Sequence, residues 1–197
     1  MWNSTGTKTS FTSFNTSSIH DGLESAIIIA NMVVLNLAYT APVNPLGAAP
    51  TLTQDQAWAG LKLKALRPQE FVPAIATCEI VSEEAHESGY KVVRNVTFRS
   101  DSNMKGDQAP VKETCYHYAP NRVEFHQEDG SIIYNIISKG PDDQLFLTYS
   151  FEWHHPGVPD GSEKAHELEE THWKVAKMAV EKSIMTLRRL VADGEIQ

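Results

Sequence analysis

Cysteine is scarce: the 197 residues contain two, Cys78 and Cys115. There is no CxxC pair and no Cys–His cluster, so a structural zinc site is not expected. Two isolated thiols suit a reducing compartment. Both lie in strand-like segments, where a buried, inert thiol is the usual outcome. Long apolar runs are also missing. None reaches the roughly 18 residues that a membrane span needs. The stretch from Ala26 to Ala38 is interrupted by Asn31 and Asn36 and lacks the basic flank of a signal peptide. The segment before it carries Lys8, Asp21 and Glu24 but no Arg, unlike a transit peptide. A cytoplasmic protein is expected. Basic residues are outnumbered, 17 Lys and Arg against 25 Asp and Glu, for a net charge of -8. That balance argues against nucleic acid or an anionic membrane as partner and fits a solubilising surface. No P-loop, GxGxxG or GxSxG is present, so no cofactor is expected. HELEETH (166–172) is not HExxH, since six residues put its two His on different helix faces. His154-His155 are adjacent strand residues that point to opposite faces and chelate poorly. No metal is expected.

Hydrophobic residues make up 41% and charged residues 21%, an ordinary mixture for one globular domain with a real core. Residues 1–31 read as a disordered or weakly ordered extension, rich in Ser, Thr, Asn and Gly. They are expected to be dispensable for folding, with Met32 a plausible alternative start. The domain is expected over 32–193. Its first strand opens at Met32. Thr51 or Thr53 can cap a helix through Gln54 or Gln56, and a second short helix can start at Pro68. Strand signals then recur at about 74–83, 90–99, 110–118, 122–128, 131–138 and 144–154. Asp129-Gly130 is a two-residue hairpin signal, Ala119-Pro120-Asn121-Arg122 resembles a type I turn, and residues 139–143 make a longer loop. After Gly157 the period changes. Asp160 is a candidate N-cap, with Glu163 as partner, for a helix of about eight turns ending before Gly194. Its apolar stripe is Trp173, Ala176, Val180, Ile184, Leu187 and Val191. The order predicts an α+β fold. A curved antiparallel sheet of about seven strands surrounds a long C-terminal helix, with two short helices after the first strand. A twisted sheet gripping one helix tends to leave a hollow at one end.

Several stretches carry a family resemblance: NLAYTAPVNP (36–45), LTQDQAWAGLKLKA (52–65), RPQEFVPAI (67–75), RNVTF (94–98), RVEF (122–125), SIIYNIISKGPD (131–142), LFLTYSFEWHHP (145–156) and AVEKSI (179–184). From about Met32 the chain resembles the acetylaranotin-cluster protein L-like (AtaL-like) family of the START-like superfamily. That resemblance implies the helix-grip fold of birch pollen allergen and polyketide cyclases, and genes near secondary-metabolite clusters. It implies no settled reaction and transfers no catalytic motif.

The site has to be read from strand alternation. Pairing through the three turns places Tyr116, Tyr118, Val123, Phe125, Ile132, Tyr134, Ile136, Leu147, Tyr149, Phe151 and Trp153 on one face. Thr114, Arg122, Glu124, His126, Asn135, Thr148, Ser150 and Glu152 take the other. The first set is more apolar and is expected inside, although a one-residue change in the 138–144 loop would break the agreement. Arg94 shares a face with Val92, Val96 and Phe98, where an arginine needs an anion or several acceptors. It reads either as a clamp for a carboxylate, enolate or phenolate, or as half of a structural ion pair. Arg94 and Tyr149 are the candidate catalytic residues, expected in one cavity beneath Trp173. Tyr116, Tyr134, Phe151, Trp153, Trp173 and Lys177 are the candidate ligand-binding residues. A general base would come from Glu124 or His126 in the alternative register, or from His166. The expected function is binding of a hydrophobic small molecule, with a redox-neutral cyclisation, isomerisation or dehydration. A non-catalytic carrier and a structural or interaction domain are the alternatives.

Overall fold

A computed structural model describes residues 32–87, 89–99 and 110–197. The N-terminal extension of 1–31 lies outside the described residues. Strand β1 (Met32–Pro42) leads into helix α1 (Gln54–Leu66). Six strands follow: β2 (Ile75–His86), β3 (Gly89–Phe98), β4 (Val111–Tyr118), β5 (Arg122–Gln127), β6 (Ile132–Lys139) and β7 (Leu145–Pro156). The chain closes on helix α2 (Glu163–Ala192). The seven strands form one antiparallel sheet in the order β1-β7-β6-β5-β4-β3-β2. The first strand therefore crosses to pair with the last, and the sheet curls round α2. Two register irregularities in β2, between Ile75 and Thr77 and between Ile80 and Ser82, bend its edge. This is the helix-grip architecture that the order of elements implies.

Local chemistry explains the ends of the helices. Thr53 caps α1 with a full capping box: Gln56 N–H donates to its Oγ1, and Gln56 Oε1 accepts from the Thr53 N–H. The second short helix is a single 3-10 turn at Pro68–Glu70, because Pro68 starts it but the chain turns into β2 within five residues. Ser162, not Asp160, caps α2, its Oγ accepting from Ala165 N–H. Asp160 lies two residues too early, across the turn at Gly161. Gly194, at φ +77°, ends the helix and lets Ile196 fold back into the core.

α2 buries Ala165, Ala176, Val180, Ser183, Ile184, Leu187 and Leu190 against the sheet and α1. A buried Val, Ile or Leu contributes about 1.5–3 kcal/mol, so this stripe holds the helix in place. Trp173, expected on the stripe, is 46% exposed. The buried row steps from Ala165 through half-buried His172 to Ala176, and Trp173 sits about 100° further round the helix. The two helices cross closely at Gly60, where a Cβ would lie 1.7 Å from Leu187 Cδ2.

The sheet face corrects half of the expected inward set. On β5 and β7 the inward residues are as expected: Val123 and Phe125, then Leu147, Tyr149, Phe151 and Trp153 are buried. On β4 and β6 the faces are inverted. Cys115 and His117 point inward while Tyr116 and Tyr118 do not. On β6, Asn135 and Ile137 are buried and Ile133 packs on the core, while Ile132, Tyr134 and Ile136 take the other face. Each turn differs from the expected one by a residue. Tyr118 pairs with Arg122 across three residues. Gln127 N–H donates to Ser131 across a three-residue loop with Gly130 at φ +89°. Lys139 pairs with Leu145 across five residues. The last two shifts cancel between β5 and β7, and β6 between them turns over.

Candidate functional site

The concave face of the sheet, the 71–75 segment and α2 line a partly open cavity of about 130 Å³. An apolar cavity of roughly 150 Å³ takes up benzene, which sets the scale at about one aromatic ring. Phe71, Ile75, Phe125, Ile133, Phe151 and Trp153 form its apolar walls. Val175, Met178, Ala179 and Lys182 of α2 close the opposite side. Trp153 stacks on Phe151, at 4.4 Å, and meets His172 in a tilted contact, at 3.8 Å between ring centroids. His172 also meets His155, Nε2 to Nε2 at 2.8 Å. Burial, with His155 adding to it, pushes the His172 imidazole down to about 4.

Opposite Lys182, the polar part of the lining comes from five elements, α1, β3, β4, β5 and β7: Lys64, Arg94, Glu113, Gln127 and Tyr149. Arg94 and Glu113 are direct partners across β3 and β4. Arg94 Nε and Nη2 both donate to Glu113 Oε2, at 2.9 and 2.6 Å. Its Nη1 donates to the carbonyls of Lys64 and Ala65, at 2.9 and 2.7 Å. Those carbonyls belong to the last turn of α1, where no intrahelical partner exists. A cation there also complements the negative end of the helix dipole. Gln127 Nε2 donates to the other oxygen of Glu113, at 2.8 Å. Four of the five N–H groups of Arg94 are thus committed to the fold. The anion-clamp expectation gives way to the ion-pair alternative: Arg94 ties α1 to the sheet.

Lys64 is 6% exposed and its Nζ donates to Asn135 Oδ1 at 2.7 Å. It lies 4.0 Å from the centroid of the Tyr149 ring and 5.4 Å from that of Phe125. Burial, reinforced by the Arg94 charge and opposed by Glu113 and Cys115, pushes the amine down from 10.5 to about 7. Burial raises the Tyr149 phenol, with Ser183 opposing, so the hydroxyl stays protonated at neutral pH. Tyr149 Oη and Ser183 Oγ are neighbours on β7 and α2, yet neither has a partner of hydrogen-bond geometry. Asn135 Nδ2 is likewise buried without a partner. Cys115 is buried beside this cluster, and burial pushes its thiol up to about 12, so it stays a thiol.

Of the candidate residues, Arg94, Tyr149, Phe151 and Trp153 line this one cavity. Tyr116 and Tyr134 face away from it, because the turns invert β4 and β6; Tyr116 packs on His86 and His126 there. Trp173 and Lys177 are exposed on α2, and Lys177 binds Glu181 at 2.6 Å and the Tyr39 hydroxyl at 3.3 Å. Val175, Met178 and Ala179 cover the cavity in place of Trp173. Glu124 and His126 pair with each other on the outer face at 2.9 Å, and His166 is exposed. None of these three lines the cavity. Lys64 and Glu113 were missed. Lys64 had a legible signal: with Ala57, Gly60, Leu61 and Ala65 it falls on the buried stripe of α1. Glu113 is visible only once the β3–β4 register is known. Among the described residues, no group of three or more His, Cys, Asp and Glu could hold a metal ion. No helix among them is long and apolar enough to cross a membrane.

Residues 37–194 match the family described as acetylaranotin biosynthesis cluster protein L. The chain belongs to this family. An AtaL relative, acetylaranotin biosynthesis cluster protein L of Aspergillus terreus, is 30% identical over 168 residues, covering 82% of this chain and 93% of that protein. Among solved structures, the AtaL-family fold here is similar to two at low identity. One is the di-domain aromatase/cyclase StfQ of the steffimycin biosynthetic pathway, with a TM-score of 0.51 and 8% identity, covering 92% of this chain. The chain spans 61% of the length of that protein. The other is KanY in solution, with a TM-score of 0.53 and 11% identity, covering 80% of this chain and 97% of KanY.

Proposed function

We propose that this protein acts in secondary-metabolite biosynthesis, enclosing a small ring-bearing hydrophobic intermediate and carrying it through a redox-neutral cyclisation, isomerisation or dehydration. The observation that carries this reading is an apolar cavity whose lining includes buried titratable groups, Lys64, Arg94–Glu113 and Tyr149. A carrier needs only the apolar walls. A buried hydroxyl without a partner and a buried amine without a carboxylate are costs to a fold, and groups of that kind cluster at functional sites. In the proposed step the walls exclude water and hold the reacting atoms together. Tyr149, kept protonated by burial, donates to an oxygen on which charge develops. Arg94 positions α1 and Glu113, and with them the polar end of the site. The family's description as a biosynthesis cluster protein and the fold shared with an aromatase/cyclase both support this reading.

Deleting the gene in its source organism and comparing metabolites tests it. The intermediate that accumulates is expected to have the mass of the missing product, or to differ from it by one water. Complementation with Ala179→Trp, which fills the cavity, should fail to restore the product. A mass change of two hydrogens or one oxygen would refute the redox-neutral step. A lowered yield with no distinct intermediate would identify a carrier.

A further inference from the structure

Lys64 is the buried group whose presence the fold does not explain. It occupies a position on the apolar stripe of α1 where an unbranched apolar side chain would fill the same space. A buried cation is normally compensated by a carboxylate. Here the nearby carboxylate, Glu113, is taken by Arg94 through two hydrogen bonds and by Gln127 through a third. Lys64 forms no ion pair with a carboxylate among the described residues, and its Nζ has one acceptor, the neutral amide oxygen of Asn135. The side chain nevertheless lines the cavity, with the rings of Tyr149 and Phe125 beside its amine. A desolvated amine of this kind is the form that attacks carbonyl carbons.

We infer that Lys64 is a Schiff-base lysine, whose Nζ at the aromatic-lined end of the cavity takes an aromatic or conjugated aldehyde or ketone as a covalent imine. The inference rests on the functional reading above and specifies its substrate class. In this step the nitrogen lone pair forms the C–N bond and the carbonyl π pair moves to oxygen. The oxygen gains two protons, matching the two that nitrogen loses, and departs as water. Hydrolysis reverses the step, so no oxidant or reductant is consumed. Protonation of the imine nitrogen gives an iminium, which withdraws electrons from the adjacent carbon more strongly than the carbonyl did and eases loss of a proton there. That is the opening event of an isomerisation or of carbon–carbon ring closure. The one bond to Asn135 holds the amine in place and leaves its lone pair uncommitted. Because burial puts the amine near 7, about half of it is unprotonated at neutral pH, against on the order of one part in a thousand for an ordinary lysine.

The test uses the full-length protein, benzaldehyde as the carbonyl probe and sodium cyanoborohydride to reduce any imine to a stable amine. Peptide mass mapping then gives the labelling rate of each lysine at pH 7. Lys64 is expected to be labelled on the order of ten-fold faster than exposed lysines such as Lys174 and Lys177. Ala179→Trp should bring the Lys64 rate down to theirs and leave theirs unchanged. Binding of benzyl alcohol, which has the ring but no carbonyl, is followed in parallel by saturation-transfer NMR. If benzyl alcohol binds in the cavity and Lys64 is labelled no faster than the exposed lysines, the Schiff-base assignment is wrong and the cavity reading stands. If benzyl alcohol does not bind, the cavity reading fails and takes the assignment with it. Fast labelling that Ala179→Trp leaves untouched also overturns the assignment, because the probe would then reach Lys64 by another route.

Discussion

Replacing Lys64 with Met should stabilise the protein at neutral pH and destabilise it at high pH. The amine falls from 10.5 in the unfolded chain to about 7 in the fold. Between those values the unfolded chain binds a proton that the folded chain has released, so stability rises with pH. The contribution is complete above about 10.5 and is lost as pH falls towards 7. Each pH unit in that window is worth a little over 1 kcal/mol, so burying the amine costs roughly 4 kcal/mol more at pH 7 than at high pH. Methionine has nearly the same length and none of this cost. It does lose the bond to Asn135, whose Nδ2 is already unpartnered, and stranding Oδ1 as well costs about 1–3 kcal/mol. Lys64→Met should therefore be more stable than the parent by roughly 1–3 kcal/mol at pH 7 and less stable by a similar amount near pH 10.5. Urea melts followed by tryptophan fluorescence at intervals from pH 6 to 10.5 measure the gap. Groups common to both proteins cancel in the difference. A gap that stays constant across this range would refute the reasoning, because the amine would then have an ordinary pKa and could not be desolvated.

Arg94→Met strands Glu113 and two α1 carbonyls, and should lower stability by about 3–5 kcal/mol in a denaturant melt; a loss under 1 kcal/mol would show that the pair is solvated. Tyr149→Phe removes a buried hydroxyl that has no partner, so the melt should stay level or gain about 1 kcal/mol while production of the metabolite falls. Gly60→Ala drives a methyl group into Leu187 and should cost about 1–3 kcal/mol, read as a lower midpoint with an unchanged slope. His172, held down to about 4, stays neutral in the fold while the unfolded chain protonates below 6.5. Stability should fall with pH between those values, and His172→Leu should flatten that part of the profile.

The amino-acid order by itself determined the architecture. Seven strand signals, a helix capped at Thr51 or Thr53 and a long helix of 3.6-residue period admit few arrangements, because one amphipathic helix must cover one antiparallel sheet. It also placed Phe151, Trp153, Tyr149 and Arg94 in a single hollow, since alternation within a strand and the one free sheet face are both local properties. The faces of β4 and β6 were decided by loop lengths of three, three and five residues. Each could differ by one at little cost in turn energy, while each such change reverses a whole strand. That is why Tyr116 and Tyr134 left the site, and why Glu113 and Asn135 entered the buried face. The cluster around Lys64 was decided by tertiary structure alone. A lysine on a helix stripe is an anomaly in sequence, but it becomes a desolvated amine only when Arg94 takes Glu113 and the sheet closes over Asn135. The energy of a buried charge depends on which partners reach it, and partners from α1, β3, β4 and β6 meet only in the folded chain.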